Sequence, residues 1–179
     1  MSEGLIDIYV DVSGSMAGYK IEAVNRHLNS LLAEINASAD TVHLYSFAKT
    51  AQRQRFSKNP KFSVRREPTS YDGLGEFVST LVDAKKNGAT MFLYTDGLVV
   101  ENNAESEFAE KLKQKLQAAY SKRIGILVSS RRDQENLVHA LSDPATFGID
   151  DDVDTVVAVL QRLDFQRCGK HQTQQRQKV

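Results

Sequence analysis

Leu5-Ile6-Asp7-Ile8-Tyr9-Val10-Asp11-Val12-Ser13-Gly14-Ser15-Met16 is the stretch that decides the fold. The apolar run from Leu5 to Val12, rich in β-branched residues, reads as a core strand. A short Ser/Gly loop ends it. Beyond the loop Ile21, Val24, Leu28, Leu31, Leu32 and Ile35 recur at three- and four-residue steps, which gives one apolar face of a helix. Strand, tight loop and amphipathic helix form the opening unit of an α/β sheet. Ligands of such sheets bind beyond the carboxyl ends of the strands, so Asp11, Ser13 and Ser15 stand where a crevice is expected.

The same alternation continues along the chain. Asn36 to Asp40 closes the helix, and Thr41 to Phe47 reads as a second strand. The polar, alternating stretches Gln52 to Phe56 and Phe62 to Arg66 read as exposed antiparallel edge strands or extended loop. A turn cluster from Glu67 to Gly73 precedes a helix marked by Leu74, Phe77, Val78, Leu81 and Val82. Thr90 to Thr95 is a continuous apolar run of the kind found in a strand covered on both faces, and Asp96-Gly97 turns the chain after it. A helix through Phe108, Leu112, Leu116 and Tyr120, a strand from Ile124 to Ser129 and a short helix at Leu137 to Leu141 follow. Thr146 to Ile149 is expected as a short edge strand, and Val153 to Leu163 as the last helix. The expected architecture is a doubly wound α/β domain over residues 1–163: a mostly parallel central sheet, helices on both faces and one antiparallel edge strand. Residues 164–179, rich in glutamine and basic, read as a disordered tail.

Composition narrows the function classes. The 179 residues are 41% hydrophobic and 26% charged, and 23 basic residues balance 23 acidic ones, so no global field draws the chain to nucleic acid or anionic lipid. A single cysteine, Cys168, precludes an internal disulfide. The N-terminal residues lack the basic segment and long apolar run of a secretory signal, and the first strand is too short to span a bilayer. A cytoplasmic monomer without a membrane anchor is the expectation.

The chemistry lies in two carboxylates. Asp11 follows the first core strand and Asp96 follows the Thr90 to Thr95 strand. If those strands are parallel neighbours, both carboxylates emerge at one sheet edge together with the Ser13 and Ser15 hydroxyls. Such an oxygen set suits a hard cation such as Mg²⁺. Each residue alone has an ordinary explanation: a strand-end aspartate, N-cap serines, an Asp-Gly turn.

Asp11-Val12-Ser13-Gly14-Ser15-Met16 together with Thr95-Asp96-Gly97 resembles the von Willebrand factor A (vWA) family and the loops of its metal-ion-dependent adhesion site, and the likeness extends over residues 4–163. The resemblance implies that Ser13 and Ser15 bind the metal directly, while Asp11 and Asp96 bind it directly or through water. It implies Mg²⁺, with Mn²⁺ or Ca²⁺ as alternatives, and a protein partner that reaches the ion through an acidic or other oxygen-bearing side chain. The family adds a threonine from the loop before the second helix. Here the matching position holds Asp72, with Thr69 as the alternative if the loop is shifted. Asp72 beside Asp11 and Asp96 places three negative charges against the two of the ion, which favours holding the metal over attracting an acidic partner.

Other chemistries find little support. Asp150, Asp151, Asp152 and Asp154 lack the glycine and glutamate of an EF-hand and read as charge at a helix start. His27, His43, His139 and His171 show no metal-binding spacing. Arg131 and Arg132 with Lys122 and Arg123 read as a solvated basic rim. The chain has no phosphate-binding GxxxxGK[ST] loop and no recognisable nucleophile and base. The expected function is therefore a non-enzymatic, metal-dependent interaction module, an adaptor or regulator of a partner enzyme. A metal-dependent hydrolase or phosphatase, and a vWA fold whose site has lost its ion, are the alternatives.

Overall fold

The computed structural model describes residues 5–48, 51–65, 90–96, 114, 116–128 and 144–162. Its centre is a six-stranded sheet of β1 (Ile6–Asp11), β2 (Val42–Phe47), β3 (Ala51–Gln54), β4 (Thr90–Thr95), β5 (Lys122–Leu127) and β6 (Pro144–Gly148), in the order β3-β2-β1-β4-β5-β6. All neighbours are parallel except β2 and β3. The chain winds outward from β1 to β2 on one side and from β4 to β5 and β6 on the other. The switch point, where a crevice opens, therefore falls between β1 and β4.

The pleat of β1 sends Ile8 and Val10 to one face of the sheet and Asp7, Tyr9 and Asp11 to the other. On the first face Ile8, Val10, Leu44, Phe92, Tyr94, Ile124 and Ile126 form the main core. Helix α1 (Tyr19–Glu34) covers it with Ile21, Val24, Leu28, Leu31 and Leu32, and Val156 and Val157 of the helical residues 153–162 complete it. The end of α1 is chemically explicit. Asn36 adopts a left-handed φ of 48°, its amide donates to Ala33 O at 3.1 Å, and the Ala37 amide donates to Leu32 O at 2.9 Å. These are the two bonds of a Schellman cap, with asparagine in the place glycine more often takes.

The second face carries buried polarity. Tyr120, which follows the helical residues 116–119, donates from its hydroxyl to Asp7 Oδ2 at 2.7 Å and lies 2.8 Å from the Tyr9 hydroxyl. His43 Nδ1 lies 3.1 Å from Asp7 Oδ1, and Tyr9 stacks on Tyr45 with ring centroids 4.7 Å apart. Burial pushes the Tyr9 and Tyr120 phenols well above their ordinary value of 10.0, so both remain neutral. The acidic residue within the first strand is thus part of a satisfied interior network.

Several boundaries differ from the sequence reading. Strand β5 begins at Lys122, two residues earlier than expected, because the ladder pairs Lys122 with Thr90 and Arg123 with Met91 along the whole of β4. Lys122 and Arg123 are accordingly buried within the sheet, not a solvated rim; their aliphatic stems suit such a position. Arg131 and Arg132 lie outside the described residues. Among the described residues the antiparallel edge strand is Ala51–Gln54, and it stops short of the expected Phe56. The Phe62 to Arg66 stretch, where described, is irregular chain docked on α1: Asn25 accepts from the Phe62 amide at 2.8 Å and donates to the Phe62 carbonyl at 2.9 Å, and the Phe62 ring enters the core. Strand β6 starts at Pro144 and pairs parallel with β5. The expected helices around Leu74 to Val82 and Leu137 to Leu141, and residues 164–179, lie outside the described residues.

His27 on α1 places Nδ1 3.0 Å from the Tyr94 hydroxyl. Its Nε2 is buried without a hydrogen bond of ordinary length and angle, although the Asp151 backbone and carboxylate favour the protonated ring. Burial outweighs them and holds the imidazole below its ordinary 6.5. The unfolded chain takes up this proton below pH 6.5 while the folded chain resists it, so His27 removes stability as pH falls from 6.5 toward its depressed value. Above 6.5 it has no effect. In denaturant unfolding across this window, His27→Gln is expected to show a shallower pH dependence, by at most about 1.4 kcal/mol per pH unit; parallel profiles would contradict the assignment. Tyr120→Phe, which deprives the buried Asp7 carboxyl of a donor, is expected to cost about 1–3 kcal/mol by the same measurement.

Candidate metal centre

The carboxyl end of β1 is held from both sides. The Val12 amide donates to Phe47 O at 2.8 Å, and Val12 O accepts from the Arg65 amide at 2.9 Å. The Asp11 side chain turns back on the loop, and its Oδ1 accepts from the Ser13 amide at 2.9 Å, an Asx turn. One 3-10 turn, Gly14–Met16, follows, with the Met16 amide donating to Ser13 O at 3.0 Å. Met16 is fully buried and anchors the loop from beneath. Gly18, at φ 74° and ψ −132°, then redirects the chain into α1, a backbone conformation that disfavours any side chain. This course leaves the Ser13 and Ser15 hydroxyls half-buried and 3.0 Å apart.

Strand β4 brings the rest. Because Val10 pairs with Tyr94, the next residues, Asp11 and Thr95, project together to the opposite face, and the Thr95 hydroxyl donates to Asp11 Oδ2 at 2.8 Å. Asp96, one residue on, has no exposed surface. Lys20 Nζ lies 2.7 Å from its Oδ2 and also donates to the Ser15 carbonyl at 3.0 Å.

Burial raises the Asp11 carboxyl above its ordinary value, the Ser13 amide and hydroxyl and the Thr95 hydroxyl pull it back down, and the neighbouring Asp96 charge pushes it up again. The Asp96 charge thus penalises ionisation of Asp11, and a cation beside the pair relieves the penalty. Every donor offered is oxygen, the preference of hard divalent ions. The separation of the serine hydroxyls is also close to the edge of an octahedron with arms of about 2.0–2.1 Å, an edge of about 2.9 Å.

Asp11, Ser13, Ser15 and Asp96, proposed from sequence, are therefore gathered around the ends of β1 and β4. Asp72 and its alternative Thr69 lie outside the described residues. Among the described residues no three His, Cys, Asp or Glu side chains gather as metal ligands, so the set there rests on two carboxylates and two hydroxyls. Sequence reasoning assigned no role to Lys20. The signal it left is a cation in the first turn of a helix, where the macrodipole disfavours positive charge.

The structure is similar to that of BatB, a conserved hypothetical protein from Bacteroides thetaiotaomicron, with a TM-score of 0.60 at 16% identity over 90% of this chain and 97% of that one. It is also similar to an aerotolerance-related membrane protein from Bacteroides fragilis NCTC 9343, with a TM-score of 0.61 at 14% identity over 90% and 98% of the two chains. The ArnB paralog VWA2 from Sulfolobus acidocaldarius gives 0.52 at 14% identity over 84% of this chain and 42% of that one. No protein-family sequence model matches the chain, and no curated protein matches it by sequence. At these identities the likeness concerns the fold, and the fold is of the von Willebrand factor A type. Among the described residues no helix is long and apolar enough to cross a membrane.

Two classes of substitution separate fold from site. Ser15→Ala is expected to change stability by no more than about 0.5 kcal/mol, since it touches a half-buried loop hydroxyl, and Ser13→Ala by somewhat more but less than Thr95→Val, since the half-buried Ser13 hydroxyl also favours the Asp11 carboxylate. Thr95→Val, which removes a buried donor from Asp11, is expected to cost about 1–3 kcal/mol. Chemical denaturation of the metal-free protein checks both, and a Ser13→Ala loss as large as that of Thr95→Val would assign the loop a structural role.

Proposed function

We propose that the chain is a non-enzymatic, metal-dependent protein-interaction module that binds one divalent ion, Mg²⁺ first, through Ser13, Ser15, Asp11 and Asp96. The observation that carries the reading is the convergence of these oxygens at the switch point between β1 and β4. The proposal extends to Asp72, or Thr69 in its place, as the donor from the third loop. An ion bound there supplies an open coordination position for an oxygen ligand of a partner protein, acting as adaptor or regulator of a partner enzyme. Tyr19, 68% exposed beside Lys20 at the start of α1, supports a partner contact at this edge, since large aromatic residues are enriched at interfaces. The fold likeness to vWA proteins agrees with an interaction role in general terms.

Calorimetric titration of the metal-stripped chain with Mg²⁺, Mn²⁺ and Ca²⁺ tests the ion. One site is expected in the native protein and none in a folded Ser13→Ala variant. Heat-free titrations of the native chain with all three ions would overturn the reading. For the partner, binding is expected in Mg²⁺ and lost both in chelator and in Ser13→Ala; binding that survives chelator would remove metal dependence from the role.

A further inference from the structure

Lys20 gives the candidate centre a cation of its own. Its Nζ is bonded at 2.7 Å to the fully buried Asp96 and at 3.0 Å to the carbonyl of Ser15, so it bridges the β4 carboxylate and the serine loop that the proposed ion would join. The lysine side chain is only 16% exposed. Its position follows from Gly18, whose positive φ starts α1 directly over the loop. A lysine here works against the helix macrodipole, and the oxygens of Asp96 and Ser15 compensate it.

We infer that Lys20 is a tethered counter-cation that holds Asp96 in place while the divalent ion is absent and is displaced from Asp96 when the ion arrives. The inference rests on the reading of these residues as a divalent-ion site and adds how that site is regulated. One oxygen does not serve both cations at little cost. An ion taken up by the Asp96 oxygen that Lys20 already holds would stand close to the ammonium, a repulsive pair in a part-buried setting. The single charge of Lys20 offsets Asp96 in the free protein. The double charge of the ion offsets both Asp96 and Asp11. The exchange lowers affinity for the ion, because the Lys20 contacts must first break, and it sends a four-carbon cationic arm toward the rim beside Tyr19. Ion binding then changes the charge presented to a partner as well as the open coordination position.

Two measurements test the exchange. Calorimetric titration with Mg²⁺ compares the native chain with Lys20→Met, whose stem fills a similar volume without charge. The variant is expected to bind Mg²⁺ more tightly, by about tenfold, the order of one charge-assisted hydrogen bond. On the native chain, acetylation of the Lys20 amine followed by mass spectrometry is expected to accelerate severalfold on adding Mg²⁺, and this arm needs no variant to fold. Equal or weaker binding by Lys20→Met, or labelling of Lys20 unchanged in a native chain that binds Mg²⁺, would overturn the exchange while leaving the ion site standing. Binding by Lys20→Met alone would support the lysine as occupant of the ion's place and overturn metal dependence of the native protein. No binding by either chain, with labelling unchanged, would overturn both the site and the exchange.

Discussion

The parallel pairing of β1 with β4, from Ile6 opposite Thr90 to Val10 opposite Tyr94, is the constraint on which the rest depends. It joins two strands distant in sequence at the centre of the sheet and makes their carboxyl ends coincide. The switch point, the Thr95 to Asp11 hydrogen bond and the meeting of Asp96 with the α1 start all follow from that register. A slip of one residue would turn Thr95 away from Asp11 and exchange the differently shaped residues of β4 between its two buried faces. The fully buried Phe92 and Tyr94, packed with Ile8, Val10 and α1, hold the register against such a slip.

Strand β1 carries buried carboxyl groups at both ends, and they are treated differently. At Asp7 the protein supplies partners from its own interior, Tyr120 and His43, and the network lies away from the carboxyl edge of the sheet. At Asp11 the partners are a loop amide and the Thr95 hydroxyl, with a second carboxylate close enough to push its pKa up. Two buried carboxylates gathered at a crevice, close enough for one charge to act on the other, are a physical mark of a binding site, whereas a closed interior network marks structure. The lysine on Asp96 moderates that contrast, since it offsets charge with a flexible group instead of a fixed one.

The likeness to solved structures at 14% to 16% identity shows that this arrangement of strands and helices is reached by very different sequences. A sheet of this order requires apolar strands of matched length and helices with one apolar stripe, and many sequences meet that requirement. The loops are less permissive. Asp11 must accept from the amide two residues on, Met16 must reach into the core, and Gly18 must take a conformation open to few residues.

Much of the fold was legible in local pattern. Apolar runs bounded by turn residues located β1, β2 and β4, the spacing of Ile21 to Leu32 located α1, and Asn36 marked its end, because strand and helix periods and cap chemistry act over a few residues. The short motif also named Asp11, Ser13, Ser15 and Asp96. What local pattern misread was set by partners remote in sequence. Lys122 and Arg123 look like surface cations until the β4 ladder draws them into the sheet, and Phe62 looks like edge strand until Asn25 clamps its backbone. The partners of Asp7, a charge inside a core strand, were likewise not legible, since Tyr120 meets it only across the fold. By itself, then, the sequence determined β1, β2, β4 and α1 as elements, the parallel α/β class and four oxygen-bearing side chains at strand ends. Only the tertiary structure decided that Lys20 lies on Asp96 and Thr95 on Asp11, because such contacts depend on strand register and helix placement, which long-range packing sets.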